Sequence, residues 1–568
     1  MTGGSRGLDL VAVVLVVLAT VGIGTYGLRL ARTTSDFLVA SRSVTPLWNA
    51  SAIGGEYLSA ASFLGVAGLV LAYGADALWY PVGFVAGYLV LLLLVAAPLR
   101  RSGAYTVPDF AELRLGSRSV RRLASLLVVG IGWLYLVPQL QGAGLALRAT
   151  TGAPVWAGAV VVAVVVTVNV AGGGMRSATF VQAFQYWLKL TAITVPAVVL
   201  LVAWHGDGRP DLAAAAPPVF PDRTTVQLDE TVRVLVEQPV DVVLDGRATV
   251  LDRGPHRLER GSTAVFPAGA RVPHVEGLAA TSGDAWARPL SGAGGAEHPL
   301  YATYALVLAT FLGTMGLPHV LVRFYANPDG AAARRTTLGV LALLGAFYLV
   351  PTVYGALGRL YAPEVLVTGR TDAVVLALPT AVLGGGPLSA ALEALLVAGA
   401  FAAFLSTSSG LLVSTAGVLV QDVLGGSVAD FRRATLLAVA VPLGLALPAV
   451  DLPVAQTVGL AFAVAASTFC PLLVLGIWWR GLTAAGAAAG LVVGGTASTC
   501  ATVVTLVGAE GDGWTAALLA QPAAWTVPLA FAVMVGASVA TRSRVPADVG
   551  RTMLRLHAPE PLVLSPPG

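Results

Sequence analysis

Four consecutive hydroxyl residues, Ser406-Thr407-Ser408-Ser409, lie inside an apolar run long enough to cross a bilayer. A single hydroxyl in such a run packs a helix interface or bonds back onto its own turn; four together exceed that need. A second apolar run, 48–68, carries Gly54-Gly55, then Glu56, Ser59 and Ser62 near its middle. Glycines loosen a helix, and backbone groups freed inside hydrocarbon must find partners. A carboxyl at that depth is costly and marks function. Carbonyls freed by a helix break, joined by hydroxyls from a facing helix, are the chemistry of a monovalent-cation site. Ser406 and Thr407 are the hydroxyl donors to that site.

The chain's only lysine, Lys189, is the other ionisable group at depth. It lies about 10 residues, roughly 15 Å of helical rise, inside its run, which puts both surfaces out of easy reach. Gln182 is seven residues earlier, nearly two turns, so the two share a face directed at the cation site. Three readings of Lys189 stand. It pairs with Glu56 as a structural tie, it draws in an anionic substrate, or its ammonium exchanges a proton and takes the cation's place, which burial makes physically accessible. Glu393 falls 13 residues before Ser406, about 20 Å outward, away from the site.

These groups sit in a chain of 568 residues that is 56% hydrophobic and 11% charged, with mean hydropathy +0.80. That is the composition of an integral membrane protein with many spans. The net charge of +4 does not signal nucleic-acid binding, because the arginines stand in short connections between apolar runs. Cys470 and Cys500 lie in apolar runs and are expected as free thiols. The first apolar run lacks a basic leader and a cleavage site, so 9–31 reads as a retained span.

At roughly 20 apolar residues per crossing, the chain holds about thirteen spans. They are 9–31, 46–70, 76–98, 120–148, 154–171, 179–204, 300–324, 336–360, 386–424, 433–450, 453–479, 482–507 and 523–541. Arg32 and Arg42, Arg100 to Arg122, Arg176, Arg323 to Arg335, Arg432 and Arg433, Arg480, and Arg542 and Arg544 all fall on one side of that count. The opposite short loops 71–75, 149–153 and 451–452 carry no Arg or Lys. The positive-inside rule then places the N-terminus outside and the C-terminus in the cytoplasm.

The second half repeats the first. Span 46–70 breaks at Gly54-Gly55, and span 300–324 breaks within Gly313-Thr-Met-Gly316-Leu-Pro318. Five spans begin with each broken helix, over 46–204 and 300–479; five being odd, the two sets run in opposite directions. That is an inverted repeat with its site between the breaks. Residues 1–45 supply an extra N-terminal helix and its connection, 480–541 two further helices, and 542–568 a tail. Residues 205–299 interrupt the pattern as a polar, extracytoplasmic insertion. Within it Thr225–Val272 alternates with period 2 around Asp245-Gly246, as a small β unit does. A connecting loop without a transport role is the plainer reading of the insertion; a surface for an extracytoplasmic partner is the other.

Three motifs give the chain a resemblance. Gly-Glu-Tyr-Leu-Ser-Ala-Ala-Ser-Phe-Leu-Gly (55–65), Gly-Gly-Gly-Met-Arg-Ser-Ala-Thr-Phe-Val-Gln (172–182) and Gly-Thr-Met-Gly-Leu-Pro-His-Val-Leu-Val-Arg-Phe (313–324) resemble the sodium:solute symporter family, and within it the cation/acetate, or monocarboxylate, branch. The resemblance covers 9–541 apart from 205–299. It implies an all-α polytopic protein with a LeuT-like 5+5 core, one helix before and two after. It also implies a sodium site made by carbonyls of Gly55, Leu58 and Ala403 and hydroxyls of Ser406 and Thr407. Some members have a second sodium site with an aspartate where this chain has Gln182, and Gly410 stands where a further hydroxyl would help. One sodium, not two, is expected.

Tyr57, Ser59 and Ser62 remain as substrate-facing groups, with small apolar neighbours. Gln139, beside the intramembrane Pro138, is a hydrogen-bond donor to substrate. His319, after Pro318, either orients a carboxylate or titrates, or else caps its helix or packs there. Half-helix N-termini bind anions without an arginine, and this lining lacks the dense polar groups a sugar demands. The chain has no phosphate-binding loop, no metal-ligand spacing and no nucleophile with a partner base, so no cofactor and no enzyme activity are expected. The expected role is a plasma-membrane symporter coupling Na⁺, or else H⁺, to uptake of acetate or a related short monocarboxylate. The alternatives are another solute (proline, another amino acid or a sugar) or a transporter-like sensor, which the short tail after 541 disfavours.

Overall fold

A computed structural model describes residues 3–28, 37, 39–212, 218–228, 231–276, 286–290, 298–424, 427–447, 454–507 and 513–559. Arg32, the loop at 451–452, parts of the insertion's flanks and the end of the tail lie outside the described residues. Ten described helices are long and apolar enough to cross a membrane. The count is lower than thirteen for three reasons. The helices of 61–102 follow one another with no residue between them, although Gly74, at φ +59° and ψ −134°, turns the chain there; Val155–Gly206 is likewise one run; and Val428–Ala446 opens with Asp430, Arg432 and Arg433. Val155–Gly206 is nonetheless two helices in geometry, since Gly174 has φ +55° and ψ −142°. A side chain there would strain the backbone and meet Phe37.

Two helices break in mid-course. The first runs Pro46–Tyr57 and resumes at Ala61. The sequence places this break at Gly54-Gly55; the structure carries the helix through both glycines and unwinds it at Leu58, with φ −72° and ψ 81°. The glycines serve packing instead. A Cβ on Gly54 would lie 2.8 Å from the Tyr186 ring, and one on Gly55 would lie 2.1 Å from the carbonyl of Gln182. They let the first broken helix press against the helix that carries Lys189. The second broken helix is Pro299–Gly316 followed by Pro318–Val322, hinged at Leu317, whose ψ is 116°. Residues before proline disfavour the helical region, which fixes this break. Gly316 presses against Ala465, its Cβ position 2.3 Å from that carbonyl oxygen.

The hydroxyl run lies in Pro387–Leu419, which packs along Val155–Gly206 and touches the first broken helix. Every residue from Leu396 to Val418 is buried. This centre belongs to one continuous apolar core drawn from both halves of the chain.

Among its described residues the insertion holds seven short strands, β1 (Thr224–Gln227), β2 (Val232–Val236), β3 (Val240–Leu244), β4 (Arg247–Leu251), β5 (Gly254–Leu258), β6 (Thr263–Phe266) and β7 (His274–Val275), in two antiparallel sheets ordered β1-β6-β3-β4 and β5-β2-β7. Strands Val240–Leu244 and Arg247–Leu251 form a hairpin across Asp245-Gly246. Both turn residues have positive φ, +48° and +81°, as such a two-residue turn needs. Phe220 stacks on Phe266 at 4.7 Å in the unit's own small core. That core also takes in Val367 from the helical body, so the unit is seated and not free-hanging.

Candidate cation and solute site

The break in the first helix reroutes two amide groups. The Ser59 amide donates to the carbonyl of Tyr57, and the Ser62 amide donates to that of Ser59. The carbonyls of Gly55 and Leu58, which those amides would have capped in an unbroken helix, are therefore free. Both accept from Lys189 Nζ, Leu58 O at 2.7 Å. Ser406 Oγ is the third partner, at 2.9 Å. An ammonium has three donors, and here all three are used. Lys189 is fully buried. Its charge is met by two carbonyls and one hydroxyl, and no carboxylate among the described residues bonds to it.

Of the five expected sodium ligands, Gly55, Leu58 and Ser406 thus surround the lysine head. Ala403 O accepts from Ser406 Oγ at 3.1 Å. Thr407 does not join the cage; its hydroxyl donates to the carbonyl of Glu56 at 2.6 Å. It ties the hydroxyl helix to the first broken helix one residue from the cage.

Glu56 does not pair with Lys189. Its carboxylate accepts from Arg323 Nε at 2.7 Å, both side chains all but inaccessible to solvent. Arg323 Nη1 donates to Thr179 Oγ1 at 2.8 Å, and Nη2 donates to Gln182 Oε1. Gln182 Nε2 in turn donates to Ser406 O at 2.8 Å. Gln182 and Lys189 thus both bond to Ser406. Arg323 is the functional residue that charge counting misplaces, since it reads as one more loop arginine. The signal for it was Glu56 itself, because a buried carboxylate requires a partner. Arg323 lies just beyond Pro318–Val322 and closes the second broken helix onto the first. Gly410 has a reason too. A Cβ there would lie 2.0 Å from Glu56 Cδ, so the missing hydroxyl is the space this carboxylate fills.

Beside the cage the two breaks face an aromatic lining. Tyr57 meets Tyr88 at 5.0 Å and Phe84 at 5.9 Å between ring centroids; Phe84 meets Phe462 at 5.1 Å. Tyr57 Oη shares a 2.7 Å hydrogen bond with Thr314 Oγ1 on the second broken helix. Ser62 Oγ shares one of 2.9 Å with Tyr348 Oη. These two candidates are thus engaged within the protein. Ser59 is buried. Tyr135 lies edge-on to His319 at 5.4 Å, and Gln139 follows Tyr135 by one turn on the same face. Among the described residues, neither ring nitrogen of His319, neither amide atom of Gln139, and not the Tyr88 hydroxyl has a hydrogen-bond partner. Buried polar groups are ordinarily satisfied, so an unpartnered cluster beside the breaks is what a polar solute would complete. All of these side chains are buried. Glu393, also buried, makes no contact with this cluster among the described hydrogen bonds. Cys470 and Cys500 are free thiols.

The model of the sodium:solute symporter family matches residues 37–231 and 291–494, well over half of the chain. The chain belongs to the sodium:solute symporter family. This member is therefore a multi-pass membrane transporter, a solute symporter and not an enzyme, in a family that couples solute movement to sodium. It is 29% identical to an uncharacterized symporter of Bacillus subtilis (strain 168) over 84% of this chain and 83% of that one. It is 28% identical to a monocarboxylic acid transporter of Corynebacterium glutamicum over 82% of this chain and 78% of that one. Its fold is that of a Na⁺-coupled sialic acid symporter solved in a substrate-bound outward-open state, with TM-score 0.61 at 12% identity, covering 93% of this chain and 98% of that one. A nucleobase-cation-symport-1 family transporter in a closed conformation matches at TM-score 0.52 and 12% identity, over 92% and 99%.

Proposed function

We propose that this symporter takes up acetate or a related short monocarboxylate by alternating access, driven by an inward cation gradient, with its N-terminus outside and its arginine-bearing connections in the cytoplasm. The observation that carries the reading is the unpartnered Gln139, His319 and Tyr88 polar atoms set among aromatic rings at the breaks. A few hydrogen-bonding groups in an apolar lining suit a small carboxylate and leave the many hydroxyls of a sugar unmet. The monocarboxylic acid transporter relative supports the same solute class. The net charge of the buried centre, with two cations and one carboxylate, also favours an anion.

The driving ion has two readings. Sodium is the ion of the family. The proton is favoured by one observation, the Lys189 ammonium lying where freed carbonyls would otherwise hold a metal cation. Uptake of labelled acetate into proteoliposomes, with sodium and pH gradients imposed separately, tests solute and ion together. Accumulation under one gradient supports the reading and names the ion. Absence of acetate flux under either gradient removes the monocarboxylate assignment, and competition by proline or a sugar would replace it.

A further inference from the structure

The oxygens freed by the first helix break form a cage for one monovalent cation, and the protein supplies that cation itself. We propose that Lys189 is a tethered cation whose ammonium fills the Gly55–Leu58–Ser406 cage in place of sodium, making Lys189 the residue that decides which ion this transporter uses.

Four observations converge. First, the ammonium's three donors are matched one to one by Gly55 O, Leu58 O and Ser406 Oγ, so the cage already holds one complete cation. Second, its ligands are neutral. The nearby carboxylate of Glu56 is held by Arg323, and the lysine charge rests on carbonyl and hydroxyl oxygens, as that of a dehydrated metal ion does. A structural ion pair would look different; it would have the carboxylate on the lysine. Third, the reach is built in. Gly55 brings the two helices so close that a Cβ would strike the Gln182 carbonyl at 2.1 Å, and that proximity delivers Nζ to the break. Fourth, the neighbouring groups on the hydroxyl helix already have protein partners. Ser406 O accepts from Gln182, and the Thr407 hydroxyl, which donates to Glu56 O, is turned to the first broken helix beside the cage. A sodium ion entering the cage would lie against the ammonium with no anion between them, and like charges in a low-dielectric centre exclude one another.

The inference uses the symporter reading only through the geometry of the break, and its test contains no solute. A failure of acetate uptake and a failure of this proposal are therefore separate results. The full chain is purified in detergent, and its unfolding midpoint is measured in sodium, potassium and choline chloride at equal ionic strength. The wild type is expected to show one midpoint in all three salts. Lys189→Ala and Lys189→Gln vacate the cage and are expected to gain a sodium-specific rise of several degrees, because a ligand that binds only the folded state raises its midpoint. Adding Ser406→Ala to either variant should abolish that rise. Should a variant survive purification only in sodium, that dependence is itself the gain predicted. Three results overturn the proposal. One is a saturable, sodium-specific rise in the wild type that Ser406→Ala removes. Another is folded Lys189 variants whose midpoints ignore sodium. The third is variants recoverable in no salt, which would make Lys189 a structural tie.

Discussion

A part-exposed arginine cluster and a fully buried lysine cage hold their charges in opposite ways. At the arginine-bearing end, Arg121 meets three carboxylates: Asp109 at 2.8 Å, Glu112 at 2.6 Å, and Asp422, which also accepts from Ser125. Asp422 follows the hydroxyl helix, and Asp109 and Glu112 lie on Val107–Leu115, so the cluster fastens three elements. At the centre, Lys189 meets no carboxylate, only backbone and hydroxyl oxygens. The Arg121 cluster is over-supplied with negative charge and is a fastener. The Lys189 cage has the ligand set of a cation that can be exchanged for another. The Glu56–Arg323 pair stands between the two types, a fastener placed within a few residues of the cage, where it joins both broken helices. The lesson is that the partner of a buried charge, more than its depth, separates scaffold from site.

The comparison can be broken at several points. Arg323→Leu leaves Glu56 buried without its cation and should cost about 3–5 kcal/mol, seen as loss of monodisperse protein on heating. The double variant Glu56→Leu/Arg323→Leu should recover most of that. If the single variant is as stable as wild type, the pair is not a fastener. Gly410→Ser forces a side chain into the Glu56 carboxyl and should cost about 1–3 kcal/mol by overpacking. Its loss should shrink when Glu56→Ala is added, and an undiminished loss would show that Gly410 is needed for another reason. Asp422→Asn removes one of three anions from Arg121 and should cost about 1.5 kcal/mol, lowering the midpoint while leaving solute uptake per folded molecule unchanged. A selective loss of uptake would erase the line between fastener and site.

The smallest effect concerns pH. Burial holds the Asp109 carboxyl above the ordinary carboxylate range, with Arg121 opposing. A folded-state pKa above the unfolded one gives stability at low pH that is lost as pH rises through the folded value. The wild type should therefore lose ground against Asp109→Asn as pH is raised through that interval, by about 1 kcal/mol or less. A constant difference across pH would contradict the assignment.

Much of this was legible in the residues, for identifiable reasons. Hydroxyls at 406–409 and the anomaly of a carboxylate at 56 pointed to the facing helices, because polar groups in hydrocarbon must have partners. Lys189 was visible as the chain's single lysine, set too deep to reach water. Its partner was not, since pairing by opposite charge favours Glu56, and only the three-dimensional path shows that Arg323 arrives first. Arg323 and Arg114 were counted with loop arginines. Both are buried, and Arg114 caps a helix C-terminus through the carbonyls of Gly476 and Trp479. The break moved from Gly54-Gly55 to Leu58 because a glycine pair reports close packing as readily as unwinding, and sequence does not separate the two. The Asp245-Gly246 hairpin was readable from local turn chemistry, whereas the seating of its unit on Val367 is a long-range contact that no local pattern encodes.

If the protein's own ammonium fills the cage at the first helix break, a cryo-electron microscopy map of the full chain in sodium-containing buffer, at a resolution that separates side chains from ions, should show it. Density should run unbroken along the Lys189 side chain to the carbonyls of Gly55 and Leu58 and the hydroxyl of Ser406. A Lys189 side chain turned away, with isolated density between those three oxygens, would contradict it.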